Sequence, residues 1–266
     1  MKSIDIEELK VIQMDILEVV DRFCIEHNIR YSLACGSCLG AVRHKGYIPW
    51  DDDIDIYIPR EDYERFINIF PKEFENIKVA SLKRDTKWNR AYAKAYDART
   101  IMEEECKSPM IIGVGIDIYP IDNVPDSEED WLRYNKKRRI LVFAQELKVV
   151  VPGTGRSVFK NILLRFIHLF LLPFSSRNIA KYIDRYAQKN NGKGYNRSFE
   201  CVQGIFQKHP FNSSLLTEFI RVPFEDRQYM IMKDFDAYLT NGFGDYMQLP
   251  PVEKRVSHHD FKAYWK

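Results

Sequence analysis

Three aspartates that alternate with isoleucines are the feature of this sequence best suited to chemistry. Asp51, Asp53 and Asp55 occupy every second position of a short run, in which Ile54 and Ile56 are the apolar members. Side chains of a β-strand alternate between two faces, so the pattern predicts carboxylates on one face and isoleucines in a core. Like charges on one face raise one another's pKa, and a divalent cation removes that penalty. Carboxylate oxygens are hard ligands, which predicts a Mg²⁺ or Mn²⁺ site.

A second predicted strand shows the same alternation, with a single carboxylate between two isoleucines. Asp117 lies between Ile116 and Ile118. If the two strands are neighbours, Asp117 is a third ligand beside Asp53 and Asp55. A solvated loop is the usual interpretation of an acidic run, but the alternating isoleucines on both strands argue against it here.

A glycine and a serine upstream of the carboxylates are suited to holding a phosphate group. Gly36 and Ser37 lie between a predicted strand, 30–34, and a short predicted helix, 38–43. Glycine lets the backbone approach a phosphate closely, and a helix N-terminus offers free N–H groups and the positive end of a dipole. A Gly-Ser pair alone is usually a turn. Followed by paired carboxylates on the next strand, it is the pattern of the nucleotidyltransferase fold.

Three blocks of the sequence resemble the LicD family of phosphotransferases. They are the run ACGSCLGAVRHKGYIPWDDDIDI at 34–56, the run IDIYPIDNVP at 116–125, and the run FGDYMQLPP at 243–251, which is followed by Arg255 and His258. Together the blocks span nearly the whole chain. Fukutin-related ribitol-phosphate transferases share the broader domain.

The resemblance implies a nucleotidyltransferase-like fold that transfers phosphocholine from CDP-choline to a hydroxyl group of a cell-surface glycan precursor, of the teichoic acid or lipopolysaccharide type, and releases CMP. Asp53 and Asp55 match the family's metal-binding pair and Asp117 its third carboxylate, which together would hold Mg²⁺ (or Mn²⁺). The gap between Gly36 and Asp53 is longer than is usual for nucleotidyltransferases, which leaves open whether Asp51 also contributes a ligand. Asp117 could hold the metal, act as the base, or do both.

Basic and aromatic side chains are expected around the donor. Arg43 resembles a family position and is the first choice for contact with the diphosphate, and Lys94, on a predicted strand, is the second. Trp50 is a candidate for the choline head group, because aromatic faces bind quaternary ammonium groups. The resemblance of the C-terminal block suggests that Arg255 and His258 close over the nucleotide.

Three other functions are open from the sequence. The same chemistry could use another CDP-linked donor, such as CDP-ribitol, CDP-glycerol or an ethanolamine analogue. A nucleotidyltransferase of the same fold would use a nucleoside triphosphate and release pyrophosphate instead of CMP. A binding scaffold without activity is disfavoured because Asp53, Asp55 and Asp117 are all present.

The elements that must position these residues predict an α+β fold. A chain of 266 residues, 45% of them hydrophobic, can bury a substantial core. For residues 1–125 we expect a nucleotidyltransferase-like catalytic core, a mixed β-sheet flanked by helices. Residues 126–266 hold helical patterns at 131–145, 157–172 and 177–189, which predict a mainly helical C-terminal half that packs on the core and completes the site. The two parts could also form one continuous domain.

Charge and hydropathy limit the partners and the location. The formal net charge is only +2, from 40 basic and 38 acidic residues, so no nucleic-acid partner is expected. The acidic N-terminus is not typical of a signal peptide, and the apolar run 162–174 is short for a membrane span and interrupted by Arg165 and His168. We therefore expect a cytoplasmic protein, at the inner face of the plasma membrane if its glycan acceptor is lipid-linked.

For the helix at 157–172, core packing is the favoured role, and an interfacial helix that gives peripheral membrane association is the alternative. The oligomeric state stays open.

Overall fold

A mixed β-sheet carries both predicted carboxylate strands. The computed structural model describes residues 1–103, 112–151, 153, 157–204, 206–255 and 262–266, and these form seven α-helices and twelve strands. The helices are α1 (Ile6–Glu26), α2 (Cys35–Arg43), α3 (Arg60–Ile69), α4 (Glu128–Val149), α5 (Val158–Phe170), α6 (Ser176–Ala187) and α7 (Phe235–Phe243). The strands are β1 (Ser3–Ile4), β2 (Ser32–Leu33), β3 (Asp55–Pro59), β4 (Ile77–Ala80), β5 (Ala93–Asp97), β6 (Thr100–Glu103), β7 (Gly115–Val124), β8 (Arg197–Glu200), β9 (Phe211–Asn212), β10 (Phe219–Phe224), β11 (Arg227–Met232) and β12 (Lys262–Trp265). The predicted α+β class is confirmed.

The order of strands places β7 at the centre of the sheet. Within the described residues the path is β2-β3-β7-β5-β4, with β8 beside the second half of β7 and β9 beside β8. The strands β3 and β7 run parallel, and the other pairs in this sheet are antiparallel. Two smaller units accompany it: β1-β12-β6 and the hairpin β10-β11. Strands β3 and β5 therefore pair with β7 at Asp117, one on each side.

The register of β3 and β7 sorts the polar and apolar side chains onto opposite faces. Asp55 pairs with Asp117 and Ile56 with Ile118. Because side chains alternate along each strand, both carboxylates share one face and both isoleucines share the other. The isoleucines are fully buried, and the helices α1 and α3 pack against these strands. Burial of this apolar face fixes the register, since a shift by one residue would bring the aspartates into the core.

Helix α1 begins at a side-chain cap. The side chain of Asp5 accepts a hydrogen bond from the Glu8 backbone N–H at 2.9 Å, which caps the helix N-terminus. The apolar residues of the inner face are buried at helical spacing, among them Leu9 and Ile16. The chain turns at Asn28, whose φ of 51° lies in the left-handed region that asparagine tolerates.

The acidic run is not a strand along its whole length. Strand β3 begins only at Asp55, so Asp51 and Asp53 lie in the segment before it. The backbone before β3 bonds elsewhere: the Asp51 N–H donates to the Ile48 carbonyl at 2.8 Å, and the Asp52 carbonyl accepts from Gln13 Nε2 at 3.0 Å. The prediction that all three aspartates alternate along one strand was therefore wrong for Asp51 and Asp53.

The C-terminal half is helical at first and then contributes strands. Helices α4, α5 and α6 confirm the three helical patterns, but strands β8 to β12 follow them. Strand β8 pairs with β7 of the central sheet, and β12 pairs with β1 at the other end of the chain. Pairing of strands across the expected boundary at 125 favours the interpretation of one continuous domain.

The helix that was expected to pack in the core is mostly exposed. In α5 only Leu164 and His168 are buried, and the phenylalanines at 159, 166 and 170 are open to solvent. The prediction of core packing was therefore wrong for most of this helix. None of the described helices combines the length and the hydropathy that a membrane span requires.

Candidate active site

The two strand-borne carboxylates are held in place by backbone hydrogen bonds. The Asp55 N–H donates to Ser37 Oγ at 2.9 Å, and the Asp55 carbonyl accepts from the Ala34 N–H at 2.9 Å. The Asp117 N–H donates to the Ile54 carbonyl at 2.9 Å. Ser37 is buried, so its hydroxyl serves the start of β3. The beginning of α2 is thus tied directly to the first carboxylate.

Four aspartates act on one another electrostatically at this point. Burial raises the pKa of Asp55 well above its usual range, and the charges of Asp53, Asp117 and Asp51 raise it further, in that order. The Lys94 ammonium acts in the opposite direction. The predicted repulsion among the carboxylates is therefore present, and a cation placed among them would relieve it.

Lys94 reaches the carboxylates from the other side of β7. Strand β5 places Lys94 opposite Asp117, and its Nζ lies 2.8 Å from Asp117 Oδ1 as an ion pair. The Tyr119 hydroxyl donates a long hydrogen bond, 3.4 Å, to the other oxygen, Oδ2. Tyr119 in turn contacts Tyr92, with ring centroids 4.6 Å apart.

Gly36 leaves room for the Asp51 side chain. A Cβ added at Gly36 would lie 2.4 Å from Asp51 Oδ2, closer than any ordinary contact. The second residue of helix α2 therefore has to be glycine for the carboxylate to lie against this helix N-terminus, where the dipole favours a negative charge. The sequence predicts a substrate phosphate beside Gly36, whereas in this structure an aspartate side chain occupies that space.

Gln13 is a positioning residue that the sequence analysis missed. Its Nε2 donates to the Asp52 carbonyl at 3.0 Å and to the Gly115 carbonyl at 3.4 Å, and its Oε1 accepts from the Tyr47 hydroxyl at 3.0 Å. One buried side chain of α1 thereby links the acidic segment to the start of β7. The available signal was a polar residue within the apolar stripe of α1, four residues after Leu9.

A cavity of about 650 Å³ contains three further residues singled out by the sequence. Arg43, Trp50 and Arg255 line it together with the segment around Tyr246. The Arg43 guanidinium donates to the Tyr246 carbonyl at 2.7 Å, and the Arg255 guanidinium lies 5.7 Å from the centre of the Trp50 ring. Burial lowers the pKa of Arg43, and the neighbouring Arg255 charge lowers it further. An anionic ligand in this cavity would relieve that repulsion.

The predicted residues therefore fall into two groups. Asp55, Asp117 and Lys94 lie together on the sheet, and the charges of Asp51 and Asp53 act on the same point. The residues of the second group line the cavity, and one of them, Trp50, directly precedes Asp51 in the chain. His258 lies outside the described residues.

The donor set of the first group fits a hard divalent cation, because it consists of carboxylates whose charges repel one another around Asp55. As the side chains stand, no three His, Cys, Asp or Glu residues in the described ranges are arranged to hold a metal ion. The chemistry of a metal site is therefore present, whereas the ligand geometry is not formed in this structure.

Comparison with known proteins gives a family match and a full-length match. A family model described as LicD/FKTN/FKRP, nucleotidyltransferase domain, matches residues 28–148. A protein of Haemophilus influenzae named lipopolysaccharide cholinephosphotransferase LicD is 33% identical over 270 residues, which cover 99% of this chain and 99% of that protein. An uncharacterized protein of Rickettsia typhi is 39% identical over 72 residues, which cover 27% of this chain and 23% of that protein.

Proposed function

Because this chain belongs to the LicD family, we propose that it transfers phosphocholine from CDP-choline to a hydroxyl group of a cell-surface glycan precursor and releases CMP. The observation that carries the proposal is the match to the Haemophilus influenzae protein over 99% of both chains, because it includes both the carboxylate strands and the C-terminal block. The name of that relative favours an acceptor of the lipopolysaccharide type over teichoic acid.

The carboxylate group is the centre of the proposed reaction. The acceptor hydroxyl attacks the phosphorus that carries choline, in line with the bond to CMP. Asp117, which pairs with Asp55 across the two strands, is a candidate for the base that receives the hydroxyl proton. Lys94, 2.8 Å from Asp117, is placed to contact an oxygen of the diphosphate. This geometry favours Lys94 over Arg43 for that role, which reverses the order given by the sequence.

We propose Mg²⁺ or Mn²⁺ as the cofactor, held by Asp53, Asp55 and Asp117. A divalent cation supplies neutralisation of the negative charge that develops on the leaving CMP. Asp51 lies against the start of α2, and its charge acts on Asp55, so it is either a further ligand or a support for the ligands.

The cavity lined by Arg43, Trp50 and Arg255 is the proposed site for the rest of the donor. Arg43 and Arg255 supply positive charge for phosphate, and the face of Trp50 already accepts a cation, the Arg255 guanidinium. The choline head group is a cation of the kind that such a ring face binds. The acceptor that we propose is lipid-linked, and the reaction takes place on the cytoplasmic side of the membrane.

The closest alternative keeps the chemistry and changes the donor, to CDP-ribitol, CDP-glycerol or CDP-ethanolamine. These head groups lack the quaternary ammonium, so Trp50 should matter less for them than hydrogen-bonding side chains do. The second alternative uses a nucleoside triphosphate and releases pyrophosphate.

A ³¹P NMR experiment on the purified protein separates these functions. The protein with Mg²⁺ is given CDP-choline, CDP-ethanolamine, CDP-ribitol, CDP-glycerol or CTP, with and without a lipid-linked glycan fraction. We expect CMP to appear selectively from CDP-choline, and to disappear with EDTA or in Asp55→Asn. Asp226→Asn, at an exposed aspartate of the β10-β11 hairpin, is the matched control and should keep full activity. Selective turnover of another donor, or release of pyrophosphate from CTP, would overturn the proposal.

A further inference from the structure

Helix α5 presents its apolar side to solvent instead of to the protein. Phe159, Phe166 and Phe170 are 75%, 65% and 78% exposed. At about 100° per residue, these side chains fall on one side of the helix, opposite the buried Leu164 and His168. The exposed apolar residues of this side form the outer face of α5: Phe159, Ile162, Leu163, Phe166, Leu169 and Phe170. A surface helix of a water-soluble protein ordinarily has the reverse orientation.

The apolar surface continues past the end of the helix. Leu172 and Phe174 are both more than half exposed and follow α5 directly. Contiguous exposed apolar surface of this kind marks a site of protein or membrane contact.

Basic residues border the outer face on both sides. Lys160 and Arg165 are exposed and lie at the two edges of the apolar arc, at about 100° per residue. Between positions 147 and 183 the sequence holds six Lys or Arg residues and no Asp or Glu. An apolar face with basic borders is the arrangement of a helix that lies in the plane of an anionic bilayer surface.

We propose that the outer face of α5 docks the protein onto a bilayer that contains anionic lipids. The charge argues for a bilayer over a second copy of this chain. Two copies joined through this face would place their basic borders against each other, with no acidic residue from 147–183 to compensate. An anionic lipid surface compensates the same charges.

The docking helix is connected to the carboxylate site by a short series of contacts. The His168 ring Nε2 donates to the Leu147 carbonyl of α4 at 2.7 Å. Gln145 of the same helix donates to the Asn89 carbonyl at 2.8 Å, in the segment that leads into β5. Strand β5 carries Lys94, the partner of Asp117. Docking through α5 would therefore fix at the bilayer a helix that contacts α4, which in turn contacts the segment leading to Lys94.

Vesicle flotation tests the proposal with the full-length protein. The vesicles consist of phosphatidylcholine alone or of phosphatidylcholine mixed with phosphatidylglycerol. We expect binding to the mixed vesicles and weak binding to phosphatidylcholine, and binding that falls with added salt. The change Phe166→Gln with Phe170→Gln should weaken binding by at least about tenfold, because the apolar area that enters the bilayer is lost. The change Lys160→Glu with Arg165→Glu should weaken binding to mixed vesicles roughly fivefold or more for each residue changed.

Two controls keep the outcome decisive. Val11→Gln changes an exposed apolar residue of α1 and should leave vesicle binding unaltered. In Phe166→Trp, the fluorescence of the introduced tryptophan should be quenched by brominated lipid. This quenching reports insertion of the outer face even if the double variant folds poorly. Failure of the wild-type protein to bind mixed vesicles, or equal binding by the α5 variants, would overturn the proposal. A dimer that the α5 variants dissociate, without vesicle binding, would assign the face to a second copy. The test needs no donor or acceptor, so its result is independent of the donor experiment.

Discussion

The contact between Gly36 and Asp51 allows the role of the carboxylate group to be tested through a change that adds only one methyl group. In Gly36→Ala the new Cβ would lie 2.4 Å from Asp51 Oδ2, and an ordinary contact begins at about 3.4 Å. The carboxylate must therefore move by about 1 Å. A displacement of that size in an active site can cost about a hundredfold in rate. We expect kcat/KM for CDP-choline turnover to fall by about two orders of magnitude.

The folded structure should tolerate this change. The clash is with the far end of a side chain, and alanine favours a helix by up to about 1 kcal/mol over glycine. Gly40→Ala in the same helix is the matched control, because its Cβ would meet the Gly46 backbone carbonyl at 2.4 Å. That change should lower the free energy of unfolding by about 1–3 kcal/mol. Denaturant unfolding followed by circular dichroism measures both effects.

A double-mutant cycle shows whether the loss of activity runs through Asp51. If it does, Gly36→Ala should add nothing to the loss caused by Asp51→Ala, since the clashing carboxylate is then absent. Losses that add would mean that Gly36 acts directly on the substrate, as the phosphate-loop interpretation supposes. Normal activity of a folded Gly36→Ala protein would refute the reasoning from the contact altogether.

Three further predictions concern other parts of the site and its support. Asp55→Asn should lower turnover by about three orders of magnitude, because several kcal/mol of transition-state stabilisation are lost. The melting temperature should not fall, because asparagine removes the charge that burial disfavours and the repulsion from the neighbouring aspartates, which together raise the pKa of this carboxyl. Steady-state kinetics and calorimetry measure the two effects. Gln13→Leu should reduce kcat and lower the free energy of unfolding by about 1–3 kcal/mol, because two buried carbonyl groups lose their donor. Gln13→Glu should restore neither quantity, because a carboxylate has no N–H to donate; kinetics and denaturant unfolding check both variants. Asp122→Asn should lower the free energy of unfolding, measured with denaturant, by about 3 kcal/mol, because the buried Arg60 guanidinium, 2.7 Å from Asp122 Oδ2, loses a charged partner. An unchanged free energy of unfolding would contradict the assigned ion pair.

The sequence could predict the sorting of the sheet faces because that information is local. Alternation of aspartate with isoleucine sets which side chain faces the core, and burial of Ile56 and Ile118 then brings Asp55 and Asp117 together. The start of α1 was also predictable, since its cap joins residues only three positions apart. The first residue of β3 was not predictable, because the backbone before it bonds to the Ile48 carbonyl and to the side chain of Gln13 instead of to a strand, and Gln13 lies far away in the sequence.

The support of the site depends on contacts that no local pattern encodes. Arg43 donates to the carbonyl of Tyr246, and Gln13 to the carbonyls of Asp52 and Gly115; backbone carbonyls leave no signature in a sequence. The orientation of α5 was missed for a related reason. Helical periodicity shows that Phe166 and His168 lie on different faces, but it does not state which face the rest of the protein covers.

The most direct test of the central claim follows an oxygen atom during turnover of CDP-choline. Hydrolysis in H₂¹⁸O, with Mg²⁺ present, breaks the diphosphate at one of its two phosphorus atoms, and mass spectrometry shows which product carries the label. Attack on the phosphorus that bears choline predicts ¹⁸O in phosphocholine and unlabelled CMP, with both products absent in Asp55→Asn. Label in CMP, or turnover that survives Asp55→Asn, would contradict a phosphocholine transfer centred on these carboxylates.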